Sequence, residues 1–195
     1  MDAIASTQAE LIARAEAGSK EVALLARRQT AGRGRLGRAW VSDAGNLHLS
    51  VLWRTGAIGH PGHWSLLAGV ALHDALDRPN LQLKWPNDLL LHGAKVAGVL
   101  VDAGPGWLVV GIGINLAWAP EGLGRPVTAL GGASVDAVAA RLLAALGHWR
   151  AVYEKQGFAP IRDAWLAAGP AGIGLRDDGA LLVPGEAPMV AGELP

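Results

Sequence analysis

The chain has 195 residues, 51% of them apolar and 17% charged, which suits one main domain with a large core and at most a small appendage. Its 17 basic and 17 acidic side chains cancel, so no overall field draws it to nucleic acid or to an acidic membrane. It has no cysteine, which excludes disulfides, a thiolate nucleophile and cysteine-based metal sites.

The opening stretch MDAIASTQAE has neither the basic nor the apolar region of a signal peptide, and no apolar run reaches membrane-spanning length, as expected of a cytoplasmic protein. Thr7-Gln8-Ala9-Glu10 has the form of a capping box and predicts a short helix over 8–17, stopped by Gly18. Residues 22–27 read as a strand. A loop rich in glycine and arginine follows over 29–38, then a second strand over 46–53. Apolar positions at helical spacing predict a helix over 62–77. Three short strands over 81–85, 88–91 and 95–102 are separated by turn signals at Pro86-Asn87 and His92-Gly93, and Gly104-Pro105-Gly106 leads into a further strand over 107–116. Connections this short cannot hold crossover helices, so an antiparallel meander is expected. Ser134 caps a long helix to Gln156, stopped by Gly157, with Val135, Val138, Ala139, Leu142, Leu143, Leu146 and Trp149 as its buried stripe. One more helix is expected over 158–168, and one strand over 180–183 after the turn Asp177-Asp178-Gly179. Helices around a mixed or antiparallel sheet make an α+β fold.

Five of the 17 basic residues lie between Arg27 and Arg38, and no acid occurs from Val22 through Ser42. Glycines let backbone N–H groups approach a ligand, and arginines match phosphate oxygens, so Gln29–Trp40 is a candidate polyanion loop. Trp40 offers a flat face to an aromatic base. The solvated-surface alternative remains open. Gly32, Gly34 and Gly37 satisfy the dinucleotide fingerprint literally, but a turn and strand follow them rather than a helix, so that fold is rejected.

Lys84-Trp85-Pro86-Asn87-Asp88 marks a strand end and turn. Lys84 and Lys95, two of only four lysines, lie in otherwise apolar strands and need anionic partners: Asp88, Asp102 or a bound phosphate. Snorkelling from a strand edge is the alternative. Gly111-Ile112-Gly113-Ile114-Asn115 ends a strand with two glycines, a mark of close approach, and an amide that could read a base or simply end the strand. Ser6 and Thr7 are either ligand contacts or helix caps. Serine-hydrolase and P-loop motifs are absent. His60 and His63, flanking Pro61, read as loop residues rather than metal ligands.

Taken in order, residues 29–40, 84–88, 95–100 and 111–115 resemble the biotin–protein ligase family, over roughly residues 4–168. The resemblance implies a fold shared with class II aminoacyl-tRNA synthetases. It implies activation of biotin with magnesium and ATP as biotinyl-AMP, then transfer to a lysine of a biotin carboxyl carrier domain such as that of acetyl-CoA carboxylase. By the same resemblance, Ser6, Thr7, Gln8 and Gln29 meet biotin, with Gly32, Arg33, Gly34 and Gly98 letting the backbone come close. Arg35 and Lys95 hold the carboxylate and the α-phosphate and are the catalytic pair. Arg38, Trp40, Asn87 and Asn115 serve the nucleotide, and Asp88 orients a neighbour or assists magnesium. No strong protein-held metal is implied.

The family usually has asparagine where this chain has Gln8. Residues 1–168 are expected to form the catalytic domain, and 169–195 a shortened SH3-like β segment. Five residues before Ser6 leave no room for the DNA-binding domain of some members, so no DNA partner and no membrane are expected, with a monomer or homodimer as the assembly. A lipoate ligase or octanoyl transferase shares the fold, and an inactive biotin- or carrier-binding module is the alternative outside catalysis. The arginine-rich loop favours biotin.

Overall fold

The computed structural model describes residues 1–56 and 59–190. In chain order, β1 (Ala3–Ile4), α1 (Thr7–Glu16), β2 (Val22–Ala26), β3 (Arg28–Gln29) and β4 (Leu47–Arg54) lead to α2 (Pro61–Leu76). Next come β5 (Leu81–Lys84), β6 (Asp88–Leu91), β7 (Ala94–Gly104) and β8 (Trp107–Ile114). The chain closes with α3 (Val135–Gln156), α4 (Ala159–Ala168) and the short strands β9 (Gly174–Leu175) and β10 (Leu181–Leu182). No helix among the described residues is long and apolar enough to cross a membrane.

Six strands form one sheet in the order β2-β4-β8-β7-β6-β5, every neighbouring pair antiparallel. The expected meander is the run β5 to β8. A parallel component comes from β1 against β3. Strand alternation sorts the side chains into two layers. Leu47, Leu49, Val51 and Trp53 of β4, with Leu108, Val110, Ile112 and Ile114 of β8, enter the main core beneath α2, α3 and α4. Leu52 and Val109 point the other way and meet Leu11 and Ala15 of α1. His48, Ser50, Gly111 and Gly113 lie on this second face, toward the other end of the same strands. The α+β reading holds.

Several local expectations shift. The first helix is capped by Ser6, whose Oγ accepts from Ala9 N at 3.3 Å, and not by Thr7, whose hydroxyl turns to Gln29 and Ser50. Asn46 precedes its strand rather than opening it. Its Oδ1 accepts from Leu116 N and Ala117 N at 2.9 and 3.0 Å, tying the start of β4 to the end of β8. Leu143 is 37% exposed rather than buried, because it sits one residue, hence about 100°, round the helix from Leu142. Lys84 is exposed at the sheet edge, which is the snorkelling alternative. His63 is a buried residue of α2, not a loop residue; its ring binds Tyr153 Oη at 2.9 Å and the Asp177 carbonyl at 2.7 Å, and stacks on Phe158.

The expected C-terminal strand contracts to Leu181–Leu182, paired with Gly174–Leu175, with a further bridge from Leu181 to Met189. Leu175 and Leu181 join the main core, and Trp85 Nε1 donates to the Gly179 carbonyl at 3.1 Å. The last part of segment 169–195, residues 191–195, lies outside the described residues.

Candidate active site

Three glycines make the floor. Gly98, Gly113 and His48 are consecutive partners across β7, β8 and β4, and one row along, Gly111 pairs with Ser50. A Cβ at Gly111 would collide with Gln8 Oε1, and one at Gly113 would lie 2.5 Å from Trp40 Nε1 and 2.6 Å from its Cζ2. Side chains from α1 and the loop therefore rest directly on backbone.

A neutral polar network occupies the α1 end. Thr7 N donates to Gln29 Oε1 at 2.8 Å, the Thr7 and Ser50 hydroxyls lie 2.8 Å apart, and Ser50 Oγ donates to Gln8 Oε1 at 3.1 Å. One proton order satisfies all three: Thr7 O–H to Ser50, Ser50 O–H to Gln8, and Gln29 served by the Thr7 backbone. Gln8 Nε2 then donates to Asp102 Oδ2 at 2.8 Å and to the Val109 carbonyl at 3.0 Å. Gln8 thus lines the pocket with its amide bonded to protein at both its oxygen and its nitrogen.

The glycine loop folds back as a small hairpin. Gly34 N donates to the Arg38 carbonyl at 2.7 Å, Trp40 N to the Gly32 carbonyl at 3.0 Å, and Arg33 bridges to Ala39. Its tip is a single 3-10 turn over Arg35–Gly37, with Leu36 and Gly37 at φ 56° and 73°. No α-helix follows, so the dinucleotide reading is excluded. Gly32 sits under the loop, where any side chain would strike the Trp40 carbonyl and Ser42 Oγ. The loop carries Trp40 onto the floor, where its Nε1, like His48 Nδ1, is buried without a hydrogen-bond partner among the described residues.

Cations gather at the opposite end. Asn87 accepts from Arg35 Nη1 at 3.1 Å and donates to the Val99 carbonyl at 2.8 Å, so the turn after β5 holds the arginine. Arg38 Nε donates to the Arg35 carbonyl at 3.3 Å. Lys95 reaches this face through a β-bulge: Leu89 opposes Ala97 while Leu90 opposes Lys95. The extra residue sends both Val96 and Ala97 into the main core and turns Lys95 toward Gly98 and Trp40. Its Nζ binds Asp88 and lies 5.5 Å from the Trp40 ring centroid. Burial lowers the Lys95 pKa, and Asp88 opposes that shift. Burial, and then the charge of Arg38, lower that of Arg35.

The structure thus gathers on one pocket wall the α1 set Ser6, Thr7, Gln8 and Gln29, the loop set Arg33, Gly34, Arg35, Arg38 and Trp40, and the sheet set Asn87, Asp88, Lys95 and Gly98. Asn115 lies apart, in an adjoining cleft shared with Trp40 and Lys95, and donates to the Thr128 carbonyl at 3.1 Å. The sequence reading missed His48, Ser50 and Arg125. Ser50 and His48 were visible as polar residues in an apolar strand. Arg125, in a Gly/Pro-rich stretch, carried no signal. The pocket encloses about 80 Å³, below the roughly 300 Å³ at which small-molecule sites begin. Asp88 has one oxygen on Lys95 and the other 3.7 Å from Arg125. Such a site suits a molecule with an uncharged polar part at one end and anionic groups at the other.

Comparisons with known proteins agree. The profile of the Biotin/lipoate A/B protein ligase family matches residues 4–117. A biotin–[acetyl-CoA-carboxylase] ligase of Paracoccus denitrificans is 43% identical, the match covering 83% of this chain and 76% of that protein. The corresponding ligase of Mycobacterium tuberculosis is 39% identical over 74% of this chain and 62% of its own length. Among solved structures, biotin protein ligase from Aquifex aeolicus in complex with biotin and ATP superposes with a TM-score of 0.87 at 27% identity, covering 99% of this chain and 95% of that one. The chain belongs to the biotin/lipoate A/B protein ligase family.

Proposed function

We infer that this chain is a biotin–protein ligase, which joins biotin to ATP as biotinyl-AMP and then transfers the biotinyl group to a lysine of a carrier domain. The observation that carries the reading is the polarity of one pocket: hydroxyls and amides of Thr7, Gln29 and Ser50 at one end, Arg35 and Lys95 at the other. The first end suits the uncharged ureido ring, the second the carboxylate.

In this reading the biotin carboxylate attacks the α-phosphorus of ATP, an O–P bond forms, and pyrophosphate leaves. Arg35, held by Asn87, and Lys95, held by Asp88, lower the repulsion between the two anions. Confinement of both reactants in one pocket supplies the entropic part. A neutral carrier lysine then attacks the mixed anhydride carbonyl, the amide forms and AMP departs. Trp40 and Asn115 border the cleft assigned to the base, with Arg38 beside the phosphates. Magnesium travels with the phosphates of ATP as substrate, since the Asp88 oxygens face Lys95 and Arg125.

We assign residues 1–168 to the catalytic unit; of the segment that follows, Leu175 and Leu181 pack on its core. The carrier is a carboxylase domain, in line with the names of the Paracoccus and Mycobacterium relatives. Incubation with biotin, ATP and a carrier domain should add one biotinyl group to one carrier lysine, read by mass spectrometry. A carrier left unmodified by active, folded protein would refute the transfer step.

A further inference from the structure

We propose that Arg125 is a phosphate-binding residue of this site, delivered to the nucleotide by a segment bonded to the backbone of Lys95. The inference rests on the ligase reading and adds to it a residue outside the four motifs.

The backbone geometry is specific. Lys95 N donates to the Pro126 carbonyl at 3.0 Å, Thr128 N donates to the Lys95 carbonyl at 2.9 Å, and Lys95 and Val127 form a parallel bridge. The chain at Arg125 is therefore fixed beside the reacting centre. Its side chain borders both the main pocket and the cleft of Trp40 and Asn115, where a nucleotide bridging the two would place its phosphate.

Charge makes the same point. Arg125 lies 3.7 Å from Asp88 Oδ2, too far for a hydrogen bond, while Lys95 binds the other oxygen. Among the described residues that line this pocket, Lys95 and Arg125 flank the Asp88 carboxylate, with Arg38 nearby. Arg125 also disfavours the charged form of Lys95, which is itself largely buried. Clustered cations repel one another until an anion arrives, and a phosphate between Lys95 and Arg125 would relieve that repulsion. The Lys95 backbone holds Pro126 and Thr128, one and three residues after Arg125, and so keeps Arg125 beside the site. Because the side chain is 40% exposed and its ion pair is long, removing it should hardly change stability.

The test compares wild type with Arg125→Gln and Arg125→Lys, reading AMP, ATP and adenosine affinity by calorimetry, with biotin affinity and thermal unfolding as controls. Losing one charge-assisted contact should weaken ATP and AMP by about tenfold or more. Adenosine, biotin and the unfolding temperature should stay near wild type, and Arg125→Lys should recover most of the loss. Unchanged AMP and ATP affinity in Arg125→Gln would overturn the proposal, as would an equal loss for adenosine, which marks a base contact or a structural role. The ligase reading fails separately: wild type that binds nucleotide but performs no biotin-dependent chemistry would remove that reading while the nucleotide arms still decide the role of Arg125.

Discussion

Substituting Gly113→Ala tests whether the Trp40 ring on the glycine floor belongs to the ligand surface. The new Cβ would lie 2.5–2.6 Å from Nε1 and Cζ2 of the indole, against about 3.5–4.0 Å for an ordinary carbon contact. The ring has to retreat by about 1 Å, and the way out leads into ligand space, because Gly113 belongs to a central strand. Overpacking of this kind costs about 1–3 kcal/mol. If that cost falls on the complex, affinity drops by about 5- to 150-fold, at about 1.4 kcal/mol per tenfold. Calorimetric titration with biotin and with ATP reads the loss, and thermal unfolding shows whether the fold survives. Because the strain acts through one ring, Gly113→Ala added to Trp40→Ala should weaken binding little beyond Trp40→Ala alone. Wild-type affinity in Gly113→Ala, or full additivity in the double variant, would refute the reasoning.

Lys95→Ala should slow formation of the adenylate much more than it weakens biotin binding; equal losses in single-turnover and binding assays would make Lys95 a binding residue alone. Arg35→Gly should let biotinyl-AMP escape, measured as adenylate released to solvent, and Asn87→Ala should do the same more weakly by removing one contact of the Arg35 side chain. The Lys95 pKa is depressed by burial, so if its charge is required, the alkaline fall in adenylation begins below the usual 10.5 and moves upward in Lys95→Arg, provided that variant retains activity. Burial also depresses His48 and His63 below 6.5. The unfolded chain therefore takes up protons first, and stability present above pH 6.5 is lost as the pH falls below it. Unfolding temperatures at pH 7.5 and 5.5 should differ more for wild type than for His48→Gln or His63→Gln, and equal differences would count against both histidines.

Much of this was legible in the sequence because the elements have strong periods and clear stops. Ser134 and Gly157 bound α3 as read, and the short turns made the β5–β8 meander unavoidable. The loop was legible as a cluster of glycine and positive charge without acid. Other features depended on tertiary geometry. Strict alternation would have turned Lys95 into the core beside Ala97, and only the bulge places it in the site. The bond from Gln8 to Asp102, distant in sequence, carried no signal in the local pattern. Gly111 looks like a general sign of close approach, but its neighbour turns out to be Gln8. Arg125 acquires meaning only through the backbone pairing with Lys95.

ATP–pyrophosphate exchange measured with biotin, with lipoate and with neither tests the central claim most directly. Exchange that requires biotin, disappears in Lys95→Ala and is not supported by lipoate is the expected result. Exchange driven by lipoate would keep the fold and reverse the substrate, and no exchange from folded protein would contradict adenylation by this pocket.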